Sequence, residues 1–246
     1  MFLISLWNVV LTYLCNLEKE GNPVKHWEHR PEPAWKNFRF NQPYAKGLKR
    51  LKEEVLAKTD FDPATLWQWG TMQAMAVIEI LKDCEKHFGA EGQKVVCLAL
   101  QRIGLDVGRQ ILQGIWKPES MTEEELVSFF ATAINRIAYA SLEDPKIDGP
   151  GQVSFDILWC PHQDHYQAFD CRVQRYLVQG MVDALQETGL APGFQVRFDT
   201  TIPTGAPTCH FTLWKATDEE GQAWRQYTKQ LEEKALRIAA KEKAEN

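Results

Sequence analysis

The chain has no Cys-x-x-Cys pair, no glycine-rich phosphate loop and no excess of basic residues, and each lack removes a class of protein. Six cysteines scattered over 246 residues do not make a secreted disulfide framework or a compact zinc finger. They read as reduced thiols of a cytoplasmic protein. Without a Gly-x-Gly-x-x-Gly turn or alternating strands and helices, a nucleotide-binding parallel sheet is not expected. The pair Gly104 and Gly108 falls inside a helical pattern and marks close helix packing instead. A net charge of −5 leaves no basic face for phosphate, so the expected partner is a small-molecule substrate and not nucleic acid. No uninterrupted apolar run reaches the ~20 residues of a membrane helix, so no transmembrane span is expected.

What is present starts with an apolar N-terminus. Phe2, Leu3, Leu6, Val9, Val10, Tyr13, Leu14 and Leu17 recur at a spacing of three and four, one face of a helix. The segment lacks the basic flank and small-residue cleavage site of a signal peptide. A docking helix is expected, packed on the body or on a second copy as a homo-oligomer contact, in preference to a membrane-surface anchor. Prolines at 23, 31, 33 and 43 make residues 22–44 an ordered loop. The expected organisation is therefore a docking helix and loop over 1–44, one α+β domain over 45–217, and a charged C-terminal helix over 218–246.

Within the domain, helices are expected across 45–142. Residues 45–57 form one. Asp62 followed by Pro63 starts the next, which carries Leu66, Trp69, Met72, Met75, Ile78 and Leu81 and stops near Gly89. A third covers about 91–115. A fourth begins at Thr122, whose partner three residues on, Glu125, completes a capping box. Asp-Pro and Gly-Pro-Gly then break the chain over 143–152. Sheet and helix are expected over 152–215: Val153, Phe155, Ile157 and Trp159 alternate as a strand, a helix runs from about 170 to 188 and ends at Gly189, and strands at 194–201 and 208–215 pair as a hairpin. This order predicts an α+β fold, an N-terminal helical layer packed on a small twisted antiparallel sheet, followed by a C-terminal helix.

Strand period assigns faces. Cys209, Phe211 and Leu213 share one face of the last strand and His210 takes the other. Cys160 ends the first strand at Pro161, so His162 and His165 fall in the loop beyond it, where scaffolds present chemistry. Cys171 lies seven residues before Val178 on a Val178–Val182–Leu185 stripe, facing the core. Cys160, Cys171 and Cys209 are thus expected to converge between that helix and the sheet. Three readings stand at this point: buried structural thiols, a Cys160 nucleophile with His162 or His165 as base, and a zinc site from Cys160, His162, Cys171 and Cys209, whose spacing matches no compact finger. The candidate catalytic set is Cys160, His162, Cys171, Cys209 and His210. Arg197, His165 and Asp156 are candidate substrate contacts, with Asp156 assigned to the face of Cys160. No cofactor is expected unless the thiols hold zinc.

The C-terminal third resembles the L-2-amino-thiazoline-4-carboxylic acid hydrolase-like family. The matching features are a strand ending in Cys160-Pro161, Cys171 opening the next helix, and a last strand reading Gly205-Ala-Pro-Thr-Cys209-His-Phe211. The helices before it carry no sharp motif. The resemblance implies a hydrolase of a carbon–nitrogen bond that opens a small cyclic amidine-like ring to an N-carbamoyl amino acid. The same pattern is distantly similar to vinyl-4-reductase-type domains, which implies helices on a twisted antiparallel sheet and, as the alternative, a non-catalytic small-molecule or metal-binding module. Some members of that group bind zinc through Glu and Cys. The corresponding positions here are Phe198 and Thr201, which cannot ligate it in that way.

Overall fold

The computed structural model describes residues 39–40, 49–116, 121–137, 139 and 141–245. The expected docking helix lies outside them, as does the 22–44 loop except for Arg39 and Phe40. Those two residues form a short strand, β1 (Arg39–Phe40), paired antiparallel with β2 (Ile115–Trp116). The part of the 45–57 segment that is described is helical at 49–50 and continues as a π-helical turn, Leu51–Val55.

A long helical stretch, Ala64–Gly114, folds back on itself at Gly89. Its φ of 61° and ψ of −141° are a glycine conformation that breaks the helical ladder. The stretch is therefore two helices, α1 (64–88) and α2 (90–114). Asp62 accepts from the Ala64 N–H at 2.9 Å and starts the first. Their antiparallel register shows in contacts symmetric about Gly89: Gln93 donates to the Glu85 carboxylate at 2.9 Å, and Ile78 and Leu81 share a buried cluster with Cys97 and Leu100. The third helix, α3 (Glu123–Ile137), opens with the expected capping box. The Thr122 N–H donates to Glu125, and the Glu125 N–H donates back to the Thr122 hydroxyl.

The chain then enters an antiparallel sheet of β3 (Leu142–Gly149), β4 (Gln152–Trp159), β5 (Phe194–Thr200) and β6 (Cys209–Lys215), in the order β3-β4-β6-β5. Strand β3 corrects the sequence reading, which took this stretch as a break. Pro145 is tolerated because β3 lies at the sheet edge, where one side of the strand has no ladder to complete. Between β4 and β5 runs α4 (Arg172–Glu187), ended at Gly189 with φ 67°. The last helix, α5 (Asp218–Ala244), starts on a capping box of Thr217 and Glu220. No helix among the described residues is long and apolar enough to cross a membrane.

One face of the sheet carries Val153, Phe155, Ile157, Val196, Cys209 and Leu213. These pack against Leu126, Val127 and Phe130 of α3 and Met181, Val182 and Leu185 of α4 in one buried core. Each fully buried large apolar side chain contributes about 1.5–3 kcal/mol, so this face is what holds the layers together. The α1–α2 hairpin covers α4 from the other side, at a distance only glycine allows. A Cβ on Gly104 would lie 1.9 Å from the Leu177 carbonyl oxygen, and one on Gly180 would lie 2.0 Å from that of Gln101. Gly104 and Gly108 thus mark close helix packing, as expected.

Candidate active site: a thiol-lined cavity

The segment joining β4 to α4 carries Cys160 and His162, and the hairpin clamps it. The Tyr166 hydroxyl donates to the Ala74 carbonyl at 3.1 Å, and Lys82 pairs with Asp170 at 3.1 Å. Just beyond, Arg172 and Glu85 form a 2.5 Å ion pair that is almost wholly buried. Helices without a catalytic motif of their own therefore fix where the Cys160 loop sits.

Beneath this loop is a cavity of about 100 Å³, bounded by the sheet, α3, α4 and the turn between β5 and β6. Cys160, Cys171 and Cys209 all line it, together with His162. The convergence expected from strand and helix periods is found. Phe155, Phe198 and Phe211 line the sheet side, with Phe155 and Phe211 stacked at 4.9 Å and Phe198 edge-on to Phe211 at 4.4 Å.

The three thiols differ in their surroundings. Burial pushes Cys171 up to about 12, with the neighbouring thiols adding to the effect. Burial pushes Cys209 up to about 11, opposed by the Ile202 N–H, which donates to its sulfur at 3.1 Å. Burial is the larger effect at Cys160 too and leaves its pKa above the ordinary 9.0, although the backbone N–H groups of His162 and Gln163 work against it. Gln163 secures that turn. Its N–H donates to the Cys160 carbonyl at 3.1 Å, and its side-chain oxygen accepts from the Cys160 N–H at 3.1 Å. His162 stacks on Tyr166 at 5.1 Å. Burial, and then the charge of His165, lower its pKa below the ordinary 6.5, so the imidazole is neutral at pH 7.

Four of the other predicted residues are not brought to this cavity. Asp156 sits on the opposite face of β4, which corrects its assignment to the face of Cys160. Alternation ends with the strand at Trp159, and the chain turns at Pro161 before the parity can carry through. Asp156 accepts from the Thr208 hydroxyl at 2.7 Å and lies 3.1 Å from His210 Nδ1. Burial raises its pKa, but these bonds and the charges of His210 and Lys146 outweigh that and hold it low. His210 is thus a partner of Asp156 and not of Cys209. Arg197 pairs with Asp199 on that same outer face. His165 is exposed and tilts against Trp67 at 6.1 Å.

Sequence reasoning missed Asn135, Tyr139, Tyr166 and Gln174, all of which line the cavity. Gln174 had a usable signal, because it lies three residues after Cys171 on the stripe leading to Val178. Tyr139 had none, since it sits between elements. Phe198 and Thr201, the positions where a zinc-binding relative would place ligands, do face this cavity. Among the described residues no three His, Cys, Asp or Glu side chains are arranged to hold a metal ion. The residues present do not fit a zinc site of that kind.

Helices on an antiparallel sheet, around a small cavity lined by thiols and one imidazole, define an α+β domain. The chain belongs to the L-2-amino-thiazoline-4-carboxylic acid hydrolase family, whose sequence pattern matches residues 69–213. The match reaches back through most of the helical hairpin, well beyond the C-terminal third in which the resemblance was legible. The chain is also 55% identical to an uncharacterized protein of Archaeoglobus fulgidus over 216 residues, covering 86% of this chain and 95% of that one.

Proposed function

We propose that the protein hydrolyses a small thiazoline-type or cyclic amidine-like ring, with Cys160 as nucleophile and His162 as the proton carrier. The observation that supports this reading is one cavity lined by Cys160, Cys171 and Cys209 together with His162, whose pKa burial lowers. Neutral His162 takes the thiol proton, and the sulfur adds to the ring carbon between the two heteroatoms. The carbon–heteroatom bond of the ring breaks, and the leaving heteroatom receives that proton. Water, giving a proton to His162, then adds to the thiol-bound carbon. The thiolate leaves and is reprotonated, so one water is consumed per ring opened. Each unit of pKa mismatch between thiol and imidazole costs about 1.4 kcal/mol. The backbone N–H groups of His162 and Gln163 oppose the rise of the Cys160 pKa and so reduce that cost.

Turnover of a panel of thiazolines and cyclic amidines, followed by mass spectrometry, tests this. Cys160→Ala is expected to lower kcat/KM at least a thousandfold, and full turnover by that variant would remove Cys160 from the mechanism. A second reading, a non-catalytic ligand-binding module, draws on the high pKa values of Cys171 and Cys209. It expects saturable binding of such rings with no ring opening by the wild type.

A further inference from the structure

Arg175 of α4 is only 8% exposed. Its guanidinium lies 3.9 Å from the centre of the Trp224 ring, with Tyr227 at 5.2 Å and Phe198 at 5.7 Å beside it. Its terminal nitrogen Nη2 donates to the Thr228 hydroxyl. Its Nε is buried and has no hydrogen-bond partner among the described residues. The carboxylate whose charge reaches the guanidinium, Glu232, accepts instead from the Tyr176 hydroxyl at 2.9 Å. Burial lowers the Arg175 pKa from 12.5 to about 10, so the side chain stays charged at neutral pH. Buried charges in native proteins are paired and their donors are used, so a caged cation with an idle N–H points to a ligand that completes it.

Arg175 lines a pocket of about 560 Å³ between α2, α4, β5 and α5, within the range of small-molecule sites, about 300–1,000 Å³. Arg225 and Lys229 of α5 line it too, and both are exposed. The carboxylates of the lining are Asp183 and Glu232. Asp183 accepts from Gln101 and Gln179, each at 2.8 Å. Both acids are thus held by neutral donors. Three cations against two carboxylates leave the described lining with one positive charge in excess, in a chain whose net charge is −5. Val196 and Phe198 line this pocket and the thiol cavity alike, so those two side chains form a wall between the two spaces.

We propose that this pocket is a second binding site, for a small organic monocarboxylate whose oxygen accepts from the Arg175 Nε–H. Arg225 and Lys229 draw the anion in from the rim, and its apolar part lies against Val196 and Phe198. The planar guanidinium edge suits a carboxylate, and one excess positive charge matches one negative charge. The site lies across a wall from Cys160, and its occupancy does not depend on the hydrolase reading.

The test is calorimetric titration of the full chain at pH 8 and low ionic strength with benzoate, with its uncharged isostere benzamide and with inorganic phosphate. Benzoate is expected to bind at least tenfold more tightly than either of the others. Arg175→Gln is expected to weaken benzoate at least tenfold. Because loss of a buried side chain can also unfold the protein, the exposed pair is changed as well. The Arg225→Gln, Lys229→Gln double variant is expected to keep the wild-type melting temperature and to weaken benzoate at least threefold. Should Arg175→Gln not fold, the double variant alone decides. Cys160→Ala, altered only at the thiol cavity, is expected to bind benzoate within twofold of the wild type. No binding of benzoate overturns the proposal, as does benzamide or phosphate binding as tightly. Unchanged affinity in the double variant overturns it too, and a loss confined to Cys160→Ala would move the ligand to the thiol cavity.

Discussion

Gly104 and Leu177 touch backbone to backbone: a Cβ on the glycine would lie 1.9 Å from the leucine carbonyl oxygen. No rotamer relieves such a contact, because both sides are main chain. Gly104→Ala must push α2 off α4 and is expected to destabilise by about 3 kcal/mol or more. Gly70→Ala, with nothing within 4 Å of its Cβ, is the control. It should be neutral or stabilising by up to about 1 kcal/mol, because alanine is the better helix former. Urea unfolding of the two variants reads both.

The Glu85–Arg172 pair lies just beyond the Cys160 loop, with both side chains almost fully buried. Arg172→Met leaves a buried carboxylate whose remaining partner is Gln93, and is expected to cost about 3–5 kcal/mol. Replacing both residues with apolar side chains should recover most of that loss. A double variant as unstable as Arg172→Met would show that the pair does more than satisfy itself.

The cavity thiols make stability fall at alkaline pH. The folded values of Cys171 and Cys209, about 12 and about 11, lie above the ordinary 9.0 that these groups regain on unfolding. Their contribution is complete below pH 9 and is lost as pH rises toward 11 and 12, because the unfolded chain releases those protons first. Each thiol adds a slope of up to about 1.4 kcal/mol per pH unit in that window. Melting temperatures across pH 8 to 10.5 should drop more steeply for the wild type than for a Cys171→Ala, Cys209→Ala double variant.

Turnover should follow the opposite logic on the acid side. In the proposed mechanism His162 acts as base only when neutral, and burial lowers its pKa below the ordinary 6.5. The acid limb of kcat/KM is therefore expected to have its midpoint below pH 6.5. A midpoint well above that value would assign the limb to another group.

Alkylation should rank the thiols. Burial raises Cys171 to about 12 and Cys209 to about 11, whereas at Cys160 the backbone N–H groups of His162 and Gln163 oppose the rise, and Cys160 is half-buried where Cys209 is buried. Iodoacetamide at pH 8, read by peptide mass spectrometry, is expected to modify Cys160 before Cys171 and Cys209. Cys209 reacting first would contradict this account of the cavity.

Local chemistry is legible wherever it acts within a few residues. The Asp62 cap, the Thr122–Glu125 box, the stop at Gly189 and the alternation of β4 and β6 all appear where their residues predict them. Strand β3 was hidden because Pro145 reads as a breaker unless the strand is known to be at an edge. Asp156 was misassigned because strand parity holds only as far as the ladder, and Cys160 lies one residue past it.

The sequence by itself determined the α+β order, the stripe that turns Cys171 inward and the face that turns Cys209 inward. These follow from periods of 3.6 and 2 that any helix or strand imposes. Only the tertiary structure decided that the α1–α2 hairpin clamps the Cys160 loop. It alone brought Asn135, Tyr139 and Thr201 around the same space. Such groupings depend on where distant elements pack, which no local period encodes.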